Sequence, residues 1–237
     1  MIGSKALART AGALYLALAG FGLYAEMIAR QGSYVAGDAA ATAANIAEHS
    51  GTFRAGIVAD ILMAIAYIGV GVALSRLLAP VHRDGARLIT VFTVAGATMI
   101  LVNLALQAGA LILATDPTYA AQLGTDQAQG LALLMLDVHG QLYTIGGVFF
   151  GLWLLPTGIL VYRSGAFPRL LGIAVTAAAV MWLVVTVVQI AARDLGSPWL
   201  DIIDAPTSIG EFWLALYLVT VGRRSDAKIR ERVPAEG

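Results

Sequence analysis

The sequence predicts an all-α integral membrane protein, a bundle of six transmembrane helices with a short surface helix on the outer side. Three observations predict it. The chain is 59% hydrophobic and 13% charged, about half the charge of an ordinary soluble domain, so it cannot cover itself with polar surface. Six apolar runs reach the ~20 residues that cross a hydrocarbon core of ~30 Å. Basic residues gather beside alternate ends of those runs, as they do on the cytoplasmic side of a membrane.

The first run, roughly 10–29, follows Lys5 and Arg9 and superficially resembles a secretory signal. It ends in Ala25-Glu26-Met27 without a small-x-small cleavage pattern, and further spans follow, so it reads as an uncleaved first helix. Residues 38–49 are Ala-rich, too short and too polar to span, with Asp38 placed to cap a surface helix. The second and third spans, 54–78 and 87–114, are separated by Pro80, and Asp116-Pro117 closes the third. The fourth, 129–162, is ~50 Å long if straight, longer than the core. It carries Gly140, Gly146, Gly147, Gly151 and Pro156, which predicts tilt, a kink or projection beyond the outer surface. The fifth and sixth spans, 168–192 and 205–222, flank Gly196-Ser197-Pro198, and a charged tail occupies 223–237. One domain, 1–222, precedes that tail.

Orientation follows from the charges. Lys5 and Arg9, then Arg76, Arg83 and Arg87, then Arg163 and Arg169, then Arg223, Arg224, Lys228, Arg230 and Arg232 mark one side. Asp38, Glu48, Asp116, Asp126, Asp194, Asp201 and Asp204 mark the other, with few bases. Both termini are therefore expected in the cytoplasm.

Other chemistry is excluded. Fifteen basic and fifteen acidic residues leave no excess charge to neutralise nucleic-acid phosphates. The absence of Cys removes disulfides, thiolate metal sites and Cys nucleophiles together. There is no phosphate-binding Gly loop with Lys, no paired-His metalloprotease helix, no Gly-x-Ser-x-Gly elbow, and no pair of His at depths suited to haem.

Particular stretches point to a family. They are Gly37-Asp38-Ala39-Ala40-Ala41-Thr42-Ala43-Ala44-Asn45-Ile46, Phe53-Arg54 leading to Asp60, and Leu77-Leu78-Ala79-Pro80-Val81. Leu136-Asp137-Val138-His139-Gly140, Gly151-Leu152-Trp153-Leu154-Leu155-Pro156 and Tyr162-Arg163-Ser164-Gly165 with Pro168-Arg169 follow. Together, over roughly residues 8–222, they resemble a bacterial membrane-protein family described only as domain of unknown function 4386. The resemblance implies a polytopic protein of the bacterial inner membrane. It implies no reaction, ligand, cofactor or site residue.

Ionisable groups inside spans cost roughly 2.5–3.5 kcal/mol each on insertion scales. The candidates are Glu26, Asp60, Asp137, His139 and Glu211, with Asn103, Gln107, Gln141 and Gln189 as neutral companions. In the assigned topology all fall in the outer halves of their spans, which predicts a shared polar cup above an apolar, small-residue-packed inner half. Asn103 with Gln107, Asp137 with Gln141, and His139 with Tyr143 share helix faces at i,i+4. Asp137 and His139 point roughly 160° apart at i,i+2, which disfavours a two-ligand metal site on that helix, and no metal site is expected. Asp60 has Arg54, Arg30 and Arg193 as possible partners, and Glu26 is placed to snorkel. Gly69-x-x-x-Ala73 and Gly147-x-x-x-Gly151 read as close helix packing.

The expected ligand-binding residues are therefore Asp60, Asn103, Gln107, Asp137, His139, Gln141 and Glu211. The partners expected are the lipid bilayer and a cation, proton or small polar solute held or moved by an outward-facing acidic cavity. The alternatives are an intramembrane enzyme acting on a lipid or envelope precursor, with His139 as base or ligand, and an assembly partner without chemistry.

Overall fold

Asp38 has extended backbone, and its Oδ1 accepts from the Ala41 amide at 2.9 Å, so α2 starts at Ala39 and runs to Glu48. The cap and helix fall where the sequence places them. The computed structural model describes residues 2–191 and 198–220, and the side chains of 5–191 and 209–220. Within these residues the chain is helical and has no strand. Helix α1 spans Ile2–Leu23 and continues without a break into a π-helical segment, Tyr24–Arg30. Then come α2, α3 (Ser50–Leu78), α4 (Arg83–Thr115), α5 (Pro117–Leu123), α6 (Thr125–Arg163), α7 (Arg169–Ala191) and α8 (Pro198–Thr220).

Among the described residues, five helices are long and apolar enough to cross a membrane: Lys5–Arg30, Ser50–Leu78, Arg83–Thr115, Thr125–Arg163 and Arg169–Ala191. The sixth expected span coincides with α8, a 23-residue helix whose stretch Ile209–Thr220 is apolar. The tail, 223–237, lies outside the described residues, as do Arg193 and Asp194.

Two local features were not expected. The first span does not end as a regular α-helix: its last seven residues are wound more widely, and the Gln31 amide donates back to the Glu26 carbonyl at 2.9 Å. The connection after α4 contains a short helix, α5. Asp116 accepts from the Thr118 amide at 2.9 Å, Pro117 occupies the first turn, and Gly124 ends it at φ 91°. Those Thr118 hydrogen bonds hold the exposed Asp116 carboxyl below the usual aspartate range. Helix α6 runs through Pro156 as one 39-residue helix, close to 60 Å at ~1.5 Å per residue. The length expected of the fourth span is therefore present.

The chain divides into two compact units. One comprises residues Met1–Ala17, Ala66–Ala97 and Ile145–Gly237, the other Leu18–Ile65 and Thr98–Thr144. In the first, glycines let helices approach closely. A Cβ at Gly147 would lie 2.7 Å from the Thr186 Oγ1, and one at Gly151 2.9 Å from the Ala179 carbonyl oxygen, so α6 and α7 touch along this face. Trp153, Tyr67, Leu74 and Leu154 are buried here. In the second unit, Ile46 of α2 packs with Phe53 of α3, Ala110 of α4, and Ala132 and Leu136 of α6. The surface helix is thus anchored by its one buried isoleucine.

Candidate functional site

The second unit holds a buried polar network, and the winding of Tyr24–Arg30 helps to set it. A Cβ at Gly56 would collide with the Ala29 side chain, so only glycine lets α3 lie against this segment. Asp60 is one turn further along α3 on the same face, and Arg30 follows Ala29. The close approach at Gly56 therefore brings the two charges together. Arg30 Nη1 pairs with Asp60 Oδ2. Its Nε pairs with Glu26 Oε2 at 2.8 Å. The Arg30 guanidinium also lies 5.6 Å from the Tyr143 ring centroid, within cation–π range.

The two ion pairs differ in environment. The Asp60 side chain is 1% exposed and that of Glu26 is 48% exposed. Solvent or headgroups screen the Glu26 contact, whereas the Asp60 contact is kept dry.

Beyond Asp60 the network continues through α4 into α6. Gln107 Nε2 donates to Asp60 Oδ2 at 3.3 Å and lies 3.0 Å from His139 Nε2. A carboxylate only accepts, so it orients the amide with its NH2 group towards Asp60. The second amide hydrogen then meets His139 Nε2 as an acceptor. The proton of His139 sits on Nδ1, which donates to the Asn103 carbonyl at 3.3 Å. Asn103 Nδ2 returns a bond to the His139 carbonyl at 2.9 Å. This reciprocal pair joins α4 to α6, and together with Gln107 at Nε2 it leaves neither imidazole nitrogen free.

Three buried atoms of the network have no hydrogen-bond partner: Arg30 Nη2, Asp60 Oδ1 and Asn103 Oδ1. One is a donor and two are acceptors. Leaving such groups unmatched costs about 1–3 kcal/mol each.

Four of the seven residues selected from the sequence, Asp60, Asn103, Gln107 and His139, are therefore joined in one network. Asp137 is not in it: its Oδ1 accepts from the Tyr34 hydroxyl at 2.8 Å, on a more exposed surface. Asp137 and His139 bond different partners, consistent with their two-residue spacing. Gln141 is half-buried and is linked to the network by no hydrogen bond. Glu211 belongs to the first unit, where it accepts from the Tyr15 hydroxyl at 2.5 Å and the Trp182 indole at 2.7 Å. Among the described residues, no three His, Asp or Glu side chains are grouped to hold a metal ion.

The sequence selection missed Arg30 as a member, treating it as a possible partner of Asp60 and a residue beside the outer loop. The available signal was the Glu26–Arg30 i,i+4 spacing at the end of an apolar run. Tyr143 was placed on the face of His139 by the same spacing but was not selected as a site residue.

Long apolar helices and a buried polar network define the class as a multi-pass helical membrane protein. The chain belongs to the family described as domain of unknown function (DUF4386), whose model matches residues 10–222. No curated protein and no solved structure matches it.

Proposed function

We propose that the Arg30–Asp60–Gln107–Asn103–His139 network binds a small polar solute inside a six-span protein of the bacterial inner membrane. Both termini lie in the cytoplasm and the network opens outward. The alternating basic connections support the orientation, and the bacterial membrane follows from the family resemblance. The observation that carries the binding reading is the trio of unpartnered atoms, Arg30 Nη2, Asp60 Oδ1 and Asn103 Oδ1. Their chemistry narrows the ligand. A bare cation would satisfy the two oxygens but would face the Arg30 guanidinium. A proton would satisfy one Asp60 oxygen and leave the other two atoms unmatched. A solute with both an acceptor and donors, such as an amide or a polyol, satisfies all three.

The enzyme alternative finds less support, because both nitrogens of His139 are already engaged and a general base needs one free. The test is a thermal-shift panel on maltoside-solubilised protein with acetamide, urea, glycerol, glycine and alkali chlorides. At a concentration 100 times its Kd, a solute contributes about 2.7 kcal/mol, a shift of several degrees. At least one donor–acceptor solute stabilises the wild type, while Asn103→Ala abolishes the shift. A folded protein unmoved by every solute, or moved only by simple cations, overturns the proposal.

A further inference from the structure

Three helices of the first unit meet at an end that is rich in exposed arginine. Helix α6 ends at Arg163 and α7 begins at Arg169. The turn between them is closed on itself. Ser164 Oγ donates to the Val161 carbonyl at 2.8 Å and accepts from the Ala166 amide at 3.2 Å, and Gly165 takes a φ of 62°. A Cβ at Gly172 would lie 2.5 Å from the Tyr162 backbone nitrogen, and one at Gly85 3.6 Å from the Leu160 side chain. The last turn of α6 therefore touches the first turns of α7 and α4, which gathers Arg163 and Arg169 with Arg83 and Arg87. All four arginines are exposed. Among the described residues only Arg87 of the four has an acidic partner, Asp84 at 2.9 Å, and these two side chains are 68% and 78% exposed. Such a pair is weak and gives way to another anion. The Arg169 guanidinium lies 5.8 Å from the ring centroid of Tyr162, itself an exposed residue.

The helix dipole accounts for Arg163 at the end of α6 but disfavours Arg83 and Arg169, which open their helices. Helix stability therefore does not explain them. The residues beside the arginines narrow the partner. Leu88 follows Arg87 and is 46% exposed, and Leu170 follows Arg169 and is 63% exposed. Each pair sets a positive charge beside a bare leucine at the end of a span, where headgroups meet acyl chains. We infer that this end of the first unit binds an anionic phospholipid. Arg163 and Arg169, with Arg83 and Arg87 across from them, hold its phosphodiester, and its chains lie along Leu170 and Leu88. A guanidinium presents a planar fork of donors that matches phosphate oxygens, and basic surfaces between spans suit acidic headgroups. Free phosphate would leave the leucines uncovered, and a zwitterionic lipid would bring its own cation against the arginines. The site is separate from the polar network, and it holds for either orientation of the chain in the membrane.

The experiment is native mass spectrometry of the full chain in maltoside with equimolar phosphatidylglycerol and phosphatidylcholine. The wild type retains phosphatidylglycerol at least fivefold over phosphatidylcholine. Arg163→Gln combined with Arg169→Gln lowers that preference fivefold or more, and Arg83→Gln combined with Arg87→Gln lowers it at least twofold, with thermal melting showing that both proteins are folded. Arg54→Gln, which removes an exposed arginine near the start of α3, changes it by less than twofold. Should the first pair not fold, Arg163→Lys combined with Arg169→Lys keeps the charge, loses the planar fork and lowers the preference at least twofold. Glycerol phosphate, a headgroup without chains, does not displace the lipid at a hundredfold excess. Equal retention of the two lipids by the folded wild type, or an unchanged preference in the folded variants at 163 and 169, overturns the inference. Displacement by glycerol phosphate at equal concentration identifies a free-phosphate site and overturns the lipid assignment. An unchanged preference in the variants at 83 and 87 overturns the part given to α4.

Discussion

Removing the charge of Asp60 tests the network at its most buried point. In Asp60→Asn the Arg30 guanidinium loses its dry partner and retains the Glu26 carboxylate, whose side chain is 48% exposed. Breaking a buried ion pair on one side costs about 3–5 kcal/mol in proteins. The remaining Glu26 contact and an asparagine oxygen place this variant near the lower end, about 3 kcal/mol. The partner change, Arg30→Gln, costs a similar amount because it leaves Asp60 charged and buried beside Gln107. The double variant removes both charges, so it is less destabilised than the sum of the single changes, by about 1–3 kcal/mol. Equilibrium unfolding of all four proteins in one detergent closes this cycle. Additivity within about 0.5 kcal/mol, or a loss below about 1 kcal/mol for Asp60→Asn, would show that the pair is solvated and would refute the reasoning.

Further predictions concern the parts that position the network. Gly56→Leu forces α3 away from Ala29 and should cost about 1–3 kcal/mol as an overpacked contact. Ala29→Gly should recover part of that loss, read by the same unfolding assay. Phe53→Ala hollows the cluster that anchors α2 and should cost about 3–5 kcal/mol, with α2 amides exchanging faster than those of α7 in hydrogen–deuterium exchange. Asp137→Asn leaves a hydrogen bond to Tyr34 available on an exposed surface and should change stability by less than about 1 kcal/mol. The Asp116 cap is favoured above the usual aspartate range and lost as pH falls through its lowered value. Asp116→Ala should therefore fray Pro117–Leu123 at neutral pH, visible as faster exchange confined to those amides.

Features set by local physics were legible in the sequence. Asp38 caps α2 because a carboxylate ahead of an Ala-rich run has orphan amides to accept from, and the long helices follow from continuous apolar length. Gly147 and Gly151 pack against α7 as small-residue spacing suggests. The site was legible in part. Asp60, Asn103, Gln107 and His139 were marked by the cost of polarity inside a span. Their connection was not, because it depends on Arg30, and Arg30 is positioned by π-winding that Tyr24–Arg30 does not announce. Gly56 has no distinctive sequence context either; its meaning appears only when Ala29 lies against it. Glu211 was grouped with the others by depth alone. Its bond to Tyr15 joins residues far apart in the chain, and no periodicity within one helix reports such a contact.

Natural absence of cysteine makes single-cysteine variants a direct test of the proposal that the network binds a solute reached from outside. In intact cells, Tyr143→Cys, beside Arg30, and Asp137→Cys should both react with a membrane-impermeant thiosulfonate added externally. The solute that stabilises the purified protein should slow the reaction at position 143 and leave position 137 unaffected. An inert position 143 beside a reactive 137, or labelling of 143 that no stabilising solute slows, would contradict the account.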